Sequence, residues 1–177
     1  MILRVKRIAS DDRGAAIIEL ALIAPMLALL IVGIVDMSNA FSRKLALEQG
    51  AHRAIEKIMQ TTGSSTVGAT LTSEAVCQVN GTDSAGTCKT SPITASNVTV
   101  TYRLECTNAS SGARTSRVET DPVEFDKLSC TSSEKESRYV QVAITDKYSP
   151  MFSLHFSSFN SSDSTYHLSA TAGTRIQ

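Results

Sequence analysis

From Ala15 to Val35 the chain carries one charge, the carboxylate of Glu19, in an otherwise apolar run interrupted only by Pro25. Inside hydrocarbon every backbone polar group must be satisfied within the chain, so such a run has to be helical. Leu20 to Val35 is 16 residues, and counting from Ala15 gives 21. The longer count spans about 31 Å at roughly 1.5 Å per residue, against a hydrocarbon core about 30 Å thick. The segment therefore reaches across a bilayer only if its Glu19 end is included. A carboxylate there is costly, by about 2.5–3.5 kcal/mol if it lies centrally. Residues of that kind are usually functional and partnered.

The flanks give a direction. Arg4, Lys6, Arg7 and Arg13 precede the run, against Asp11 and Asp12. The basic bias keeps the N-terminus cytoplasmic and sends the rest of the chain outward. A cleaved secretory signal competes with this reading, because Ser38-Asn39-Ala40 places small residues where signal peptidase cuts. The mature chain would then start at Phe41 as a secreted soluble domain. Glu19 within the run and Asp36 just after it count against that, and so does the pattern beyond. Ile34, Met37, Phe41, Leu45, Ile55 and Ile58 recur at helical steps, with Arg43, Lys44, Glu48, Arg53, Glu56 and Lys57 on other faces. One helix is thus expected from about Ala15 to Gln60, apolar all round over 15–36 and amphipathic over 37–60. Pro25 removes a backbone hydrogen bond and is expected to kink it or open a local turn. Gly33 and Gly50 lower helix propensity and leave room for a neighbouring helix. The breaker cluster Thr61-Thr62-Gly63-Ser64-Ser65 ends it.

Residues 61–177 read as a strand-rich exported domain, rich in Ser and Thr. The four cysteines, Cys77, Cys88, Cys106 and Cys130, contain no C-x-x-C spacing and no accompanying His pair, so no zinc set is expected. An even count beyond a membrane segment favours two disulfides. Of the three pairings, Cys77–Cys88 and Cys106–Cys130 close the short loops. A short helix is expected over Thr72 to Val79, stopped by Asn80-Gly81. Strands are expected where apolar residues alternate: Val98 to Cys106; Val123, Phe125, Leu128 and Cys130, imperfectly; Val140 to Ile144; and Tyr166 to Ala172. The fold class is α+β, with a small antiparallel sheet packed on the amphipathic half of the long helix.

Catalytic chemistry finds no footing. His52, His155 and His167 are scattered, the serines form no nucleophile elbow, and there is no phosphate loop. No enzyme activity, cofactor, metal or small-molecule substrate is expected. The zero formal net charge gives no reason to expect a nucleic-acid partner. Asn80, Asn97, Asn108 and Asn160 each open an N-x-S/T sequon, as chance allows in so Ser/Thr-rich a chain.

The opening Asp12-Arg13-Gly14-Ala15-Ala16-Ile17-Ile18-Glu19-Leu20-Ala21-Leu22-Ile23-Ala24-Pro25 resembles the TadE-like minor pseudopilins of the tight-adherence (Tad/Flp) type IV pilus system. Leu20 stands where many of them carry Phe. Ile34-Val35-Asp36, Leu47-Glu48-Gln49-Gly50-Ala51 and Tyr148-Ser149-Pro150-Met151-Phe152 look like theirs too. The resemblance implies a pilin-like fold and a basic leader, residues 1–14, removed by a prepilin peptidase between Gly14 and Ala15. It implies that Glu19 pairs with the new N-terminal ammonium of a neighbouring pilin or pseudopilin, fixing register between subunits. Partners would be the peptidase, other pilins and the inner membrane, and the function would be assembly of an adhesive pilus. A bitopic scaffold of the secretion machinery, never entering the fibre, is compatible with the same residues.

Overall fold

The computed structural model describes residues 12–60, 67–152 and 159–176. Most of the leader, the breaker cluster at 61–65 and His155 lie outside the described residues. Helix α1 (Asp12–Gln60) is α-helical over 49 residues and remains so across Pro25. Helix α2 (Val67–Asn80) follows, then a 3-10 turn at Ala95–Asn97. Strands β1 (Val98–Asn108) and β2 (Arg114–Glu119), the short helix α3 (Pro122–Asp126), and strands β3 (Glu134–Tyr148), β4 (Phe159–Asn160) and β5 (Thr165–Arg175) complete the order. The protein is α+β: a long apolar helix followed by a five-stranded antiparallel sheet in the order β2-β1-β3-β5-β4.

Period-two burial builds the sheet's inner face. Tyr102, Leu104 and Cys106 on β1, Val140, Val142 and Ile144 on β3, and Ala170 and Ala172 on β5 are buried, and most of their alternates on β3 and β5 face water. Register aligns them across strands: Tyr102 opposite Val140, Ile144 opposite Ala170, Val142 opposite Ala172. Helix α1 packs on β3 and β5, and α2 packs on α1 and β1.

The buried face of α1 follows the expected stripe only at its C-terminal end. Ile55 and Ile58 are buried as expected, but Ile34, Phe41 and Leu45 are 65%, 63% and 53% exposed, and Ala40, Leu47, Ala51 and Ala54 are buried instead. The small residues among them let α1 lie close to its neighbours. Gly50 shows the limit: a Cβ there would stand 2.5 Å from Val79 Cγ2, 3.1 Å from the Ala75 carbonyl oxygen and 3.2 Å from Ile144 Cδ1. The room that Gly50 leaves is filled by α2 of its own chain.

The expected strand over 123–130 is not formed. Asp121 accepts from the Val123 N–H as an N-cap, and Pro122 occupies the first helical turn, so the segment starts a helix instead. Phe125 drops into the core beside Tyr102, their ring centroids 5.3 Å apart. The sheet instead gains β2, which is polar and exposed almost throughout. The expected helix at 72–79 is present and longer, and Gly81 follows it with φ 74°.

Cys77 is joined to Cys88 and Cys106 to Cys130. Cys106, Cys130 and Glu134 put three metal-type ligand atoms within 4.8 Å, but both sulfurs are bonded to each other. The sequon asparagines have structural work. Asn80 is buried, donating to the Lys89 and Ile93 carbonyls and accepting from the Ile93 N–H. Asn97 donates to the Thr145 carbonyl, Asn108 accepts from the Ser110 and Ser111 N–H groups, and Asn160 accepts from the Ser162 N–H.

Candidate functional site

The first half of α1 has no cover within the chain. Ile17, Leu20, Leu22, Met26, Leu30 and Ile31 are each at least 60% exposed. No water-soluble surface tolerates a bare apolar cylinder of that length, and α1 is long and apolar enough to cross a membrane. Glu19 is also exposed, and no cation among the described side chains lies within ion-pair distance of it. Gly14 and Ala15 fall within the first turn of α1. The structure thus puts Gly14, Ala15 and Glu19 on one helix end, well away from the sheet.

A second constellation lies at the other end of the apolar segment. Asp36 is 4% exposed, although it follows directly on Val35. Its Oδ1 accepts from the Tyr148 hydroxyl at 3.1 Å and the Met151 N–H at 2.8 Å, and its Oδ2 accepts from the Phe152 N–H at 2.9 Å. Three donors on one carboxylate satisfy a charge that burial would otherwise penalise. Burial and the neighbouring carboxylate push the Tyr148 phenol above its ordinary value, so it stays a protonated donor. Two helical turns on, Arg43 Nε donates to Asp146 Oδ2 at 2.7 Å, with the Asp146 side chain only 9% exposed. Asp36, Ala40, Arg43 and Leu47 share one side of α1. That side is therefore strapped to the end of β3 and the turn after it by a hydrogen-bonded carboxylate and an ion pair.

In the sequence Asp36 marks only the charge that ends the apolar run, because its partners lie 112 to 116 residues further on. His52 is exposed on α1, and His167 lies 2.6 Å from Asp163 in a surface cluster with Lys147.

Fold and site together define a protein built on one helix able to cross a membrane, with a small α+β domain strapped to the helix where it leaves the apolar segment. The family model described as TadE-like protein matches residues 14–55, about a quarter of the chain, from Gly14 through Asp36 and Arg43 to Ile55. No curated protein and no solved structure matches the chain. The TadE-like domain supports involvement in a Tad pilus system.

Proposed function

We propose that this chain is a membrane-anchored pseudopilin that takes part in assembling a Tad/Flp-type pilus. The observation that carries the reading is the TadE-like match beginning at Gly14 on a helix whose first half is bare of intramolecular cover. Residues 1–14 are the leader, a prepilin peptidase cuts between Gly14 and Ala15, and residues 15–36 span the inner membrane with the C-terminal domain outside. Glycine before the cut presents no side chain to the peptidase. Glu19 then lies about one helical turn beyond the new N-terminus, as the carboxylate partner for a neighbouring subunit's ammonium. Other pilins meet the protein through this helix. The function is structural, with no catalytic step of its own.

Release by signal peptidase after Ala40 fits the fold poorly. The cut would fall inside continuous α-helix and separate Asp36 from the turn it holds. The experiment is N-terminal sequencing of protein from the native host envelope. A start at Ala15 supports the pseudopilin. A start at Met1 favours an uncleaved bitopic scaffold of the secretion machinery, and a start at Phe41 a secreted domain. A second arm replaces Gly14 with a bulky residue. Accumulation of a precursor about 14 residues longer is expected from the leader length.

A further inference from the structure

We propose that the turn after β3 is a membrane foot, with Met151 and Phe152 seated in the lipid headgroup layer of the leaflet where α1 emerges. The proposal rests on the reading that α1 spans a bilayer. Its first support is position. From Ile17 to Asp36 the helix rises about 29 Å at roughly 1.5 Å per residue, close to the hydrocarbon thickness of about 30 Å. Asp36 is therefore level with the bilayer edge. The Met151 and Phe152 amides lie within 2.9 Å of its carboxylate, so the turn is held beside that level of the helix.

The second support is the way the turn divides its chemistry. Three donors of this stretch converge on the helix: the Tyr148 hydroxyl and the Met151 and Phe152 N–H groups go to Asp36. Its apolar side chains remain open to the surroundings, Met151 at 71% and Phe152 at 41% exposure. With their N–H groups bonded to Asp36, Met151 and Phe152 can lie against lipid without an unpaired-donor penalty. Asn39 Nδ2, 3.8 Å from Met151 Sδ, holds the thioether beside the helix. Asp36, which holds the turn, directly follows Val35 at the end of the bare apolar cylinder of α1. Lipid is thus the occupant the placement favours. The other exposed apolar stripe, Ile34, Phe41 and Leu45, lies on the opposite side of α1 from Asp36 and Leu47. Contact with another subunit through that stripe would leave the foot free. The consequence is a fixed depth and azimuth for the folded domain over the membrane before assembly.

The chain contains no tryptophan, so single-tryptophan reporters are unambiguous. Phe152→Trp and Met151→Trp would be made in the full chain, reconstituted at one protein per phospholipid nanodisc, with lipids brominated at shallow or deep acyl positions. Leu27→Trp marks the bilayer core, and Val118→Trp on β2 marks water. The expected result is blue-shifted emission at 151 and 152 relative to 118, quenched more by shallow than by deep bromine, with Leu27→Trp quenched most by deep bromine. Emission and quenching at 151 and 152 matching Val118→Trp, with Leu27→Trp still quenched, would overturn the foot and leave the membrane span standing. Loss of quenching at Leu27→Trp as well would overturn both. A blue shift appearing only in discs that hold two copies would assign the cover to a second copy and overturn the foot.

Discussion

The Arg43 guanidinium and the Asp146 carboxylate meet at 2.7 Å across the seam between the long helix and the C-terminal end of β3. Two turns earlier on the same helical side, Asp36 holds the chain that continues from that strand. The two contacts extend the packing of the helix on the sheet toward the apolar segment. In a protein whose helix is fixed in a membrane or a fibre, they transmit that helix's orientation to the outer domain.

Breaking either contact is expected to loosen the seam without dissolving the sheet. Arg43→Ala leaves the Asp146 carboxylate buried without its partner and should cost about 1.5–3 kcal/mol, the range for hydrogen bonds to charged groups. Asp146→Asn added to Arg43→Ala should recover part of this. Asp36→Asn gives a side chain with one acceptor where two oxygens now serve three donors, and should cost about 1–3 kcal/mol. Amide hydrogen exchange in detergent micelles checks both. Met151 and Phe152 should exchange faster in Asp36→Asn, with β1 and β3 still protected. Unchanged exchange there would mean that the carboxylate does not hold the turn.

Gly50 should prove intolerant although it lies mid-helix, where alanine normally gains about 1 kcal/mol. Its added Cβ would meet Val79 Cγ2 at 2.5 Å and the Ala75 carbonyl at 3.1 Å. Overpacking of that kind costs about 1–3 kcal/mol, so Gly50→Ala should be net destabilising and Gly50→Val more so. Val79→Ala should relieve part of the Gly50→Ala loss, seen as non-additivity in thermal unfolding of the double variant. Strict additivity would show that the helices are not in contact at this point.

Much of this architecture is legible in the residues, and the exceptions share a cause. The alternation in β1, β3 and β5 reports one buried sheet face directly. Strand β2 carries Arg-Thr-Ser-Arg-Val-Glu, polar on both faces because it is an edge strand over solvent, so no periodicity marks it. Phe125 and Leu128 look like strand residues, but the Asp121-Pro122 cap sets the local backbone. On α1 the large residues Phe41 and Leu45 dominate any reading of amphipathicity, while the face that packs combines Leu47, Ile55 and Ile58 with Ala40, Gly50, Ala51 and Ala54. Small residues signal close approach only once a neighbour is known. The Gly14-Ala15-Glu19 end is visible as local motif chemistry. The Asp36 constellation is not, because its donors arrive from a turn more than a hundred residues away.

Acid should open the β4 turn before it affects the sheet. The Asp163 carboxylate is held well below its ordinary value by Lys147 first, then by His167 and Thr165. A carboxyl depressed in the folded state stabilises above its unfolded value, about 3.9, and loses that contribution as pH falls through the lower folded value. The cluster lies at the surface, so the effect is local and weakened by salt. Amide exchange at Asn160 to Ser164 should rise below about pH 4 relative to β3. Asp163→Asn should remove that pH dependence, and a profile that survives the substitution would assign it to another group.

Glu19 is expected to separate processing from assembly. Glu19→Gln keeps size and helix propensity and removes the charge. If the carboxylate receives a neighbouring subunit's N-terminal ammonium, cleavage after Gly14 should continue while pilus formation falls. Losing one partner of a desolvated pair costs about 3–5 kcal/mol, because the other charge is left uncompensated. At about 1.4 kcal/mol per tenfold, that shifts an assembly equilibrium by two to three orders of magnitude. Membrane insertion should if anything improve, since a neutral side chain is less costly in the bilayer. The exposure of Glu19 on a helix end away from the folded domain makes an internal structural role a poor rival explanation. The variant would be expressed in a host lacking the native copy, with cleavage, membrane level and surface pili measured together. Normal cleavage with undiminished pili would remove Glu19 from assembly and make the bitopic scaffold the better reading. A cleavage defect would place the carboxylate in peptidase recognition instead.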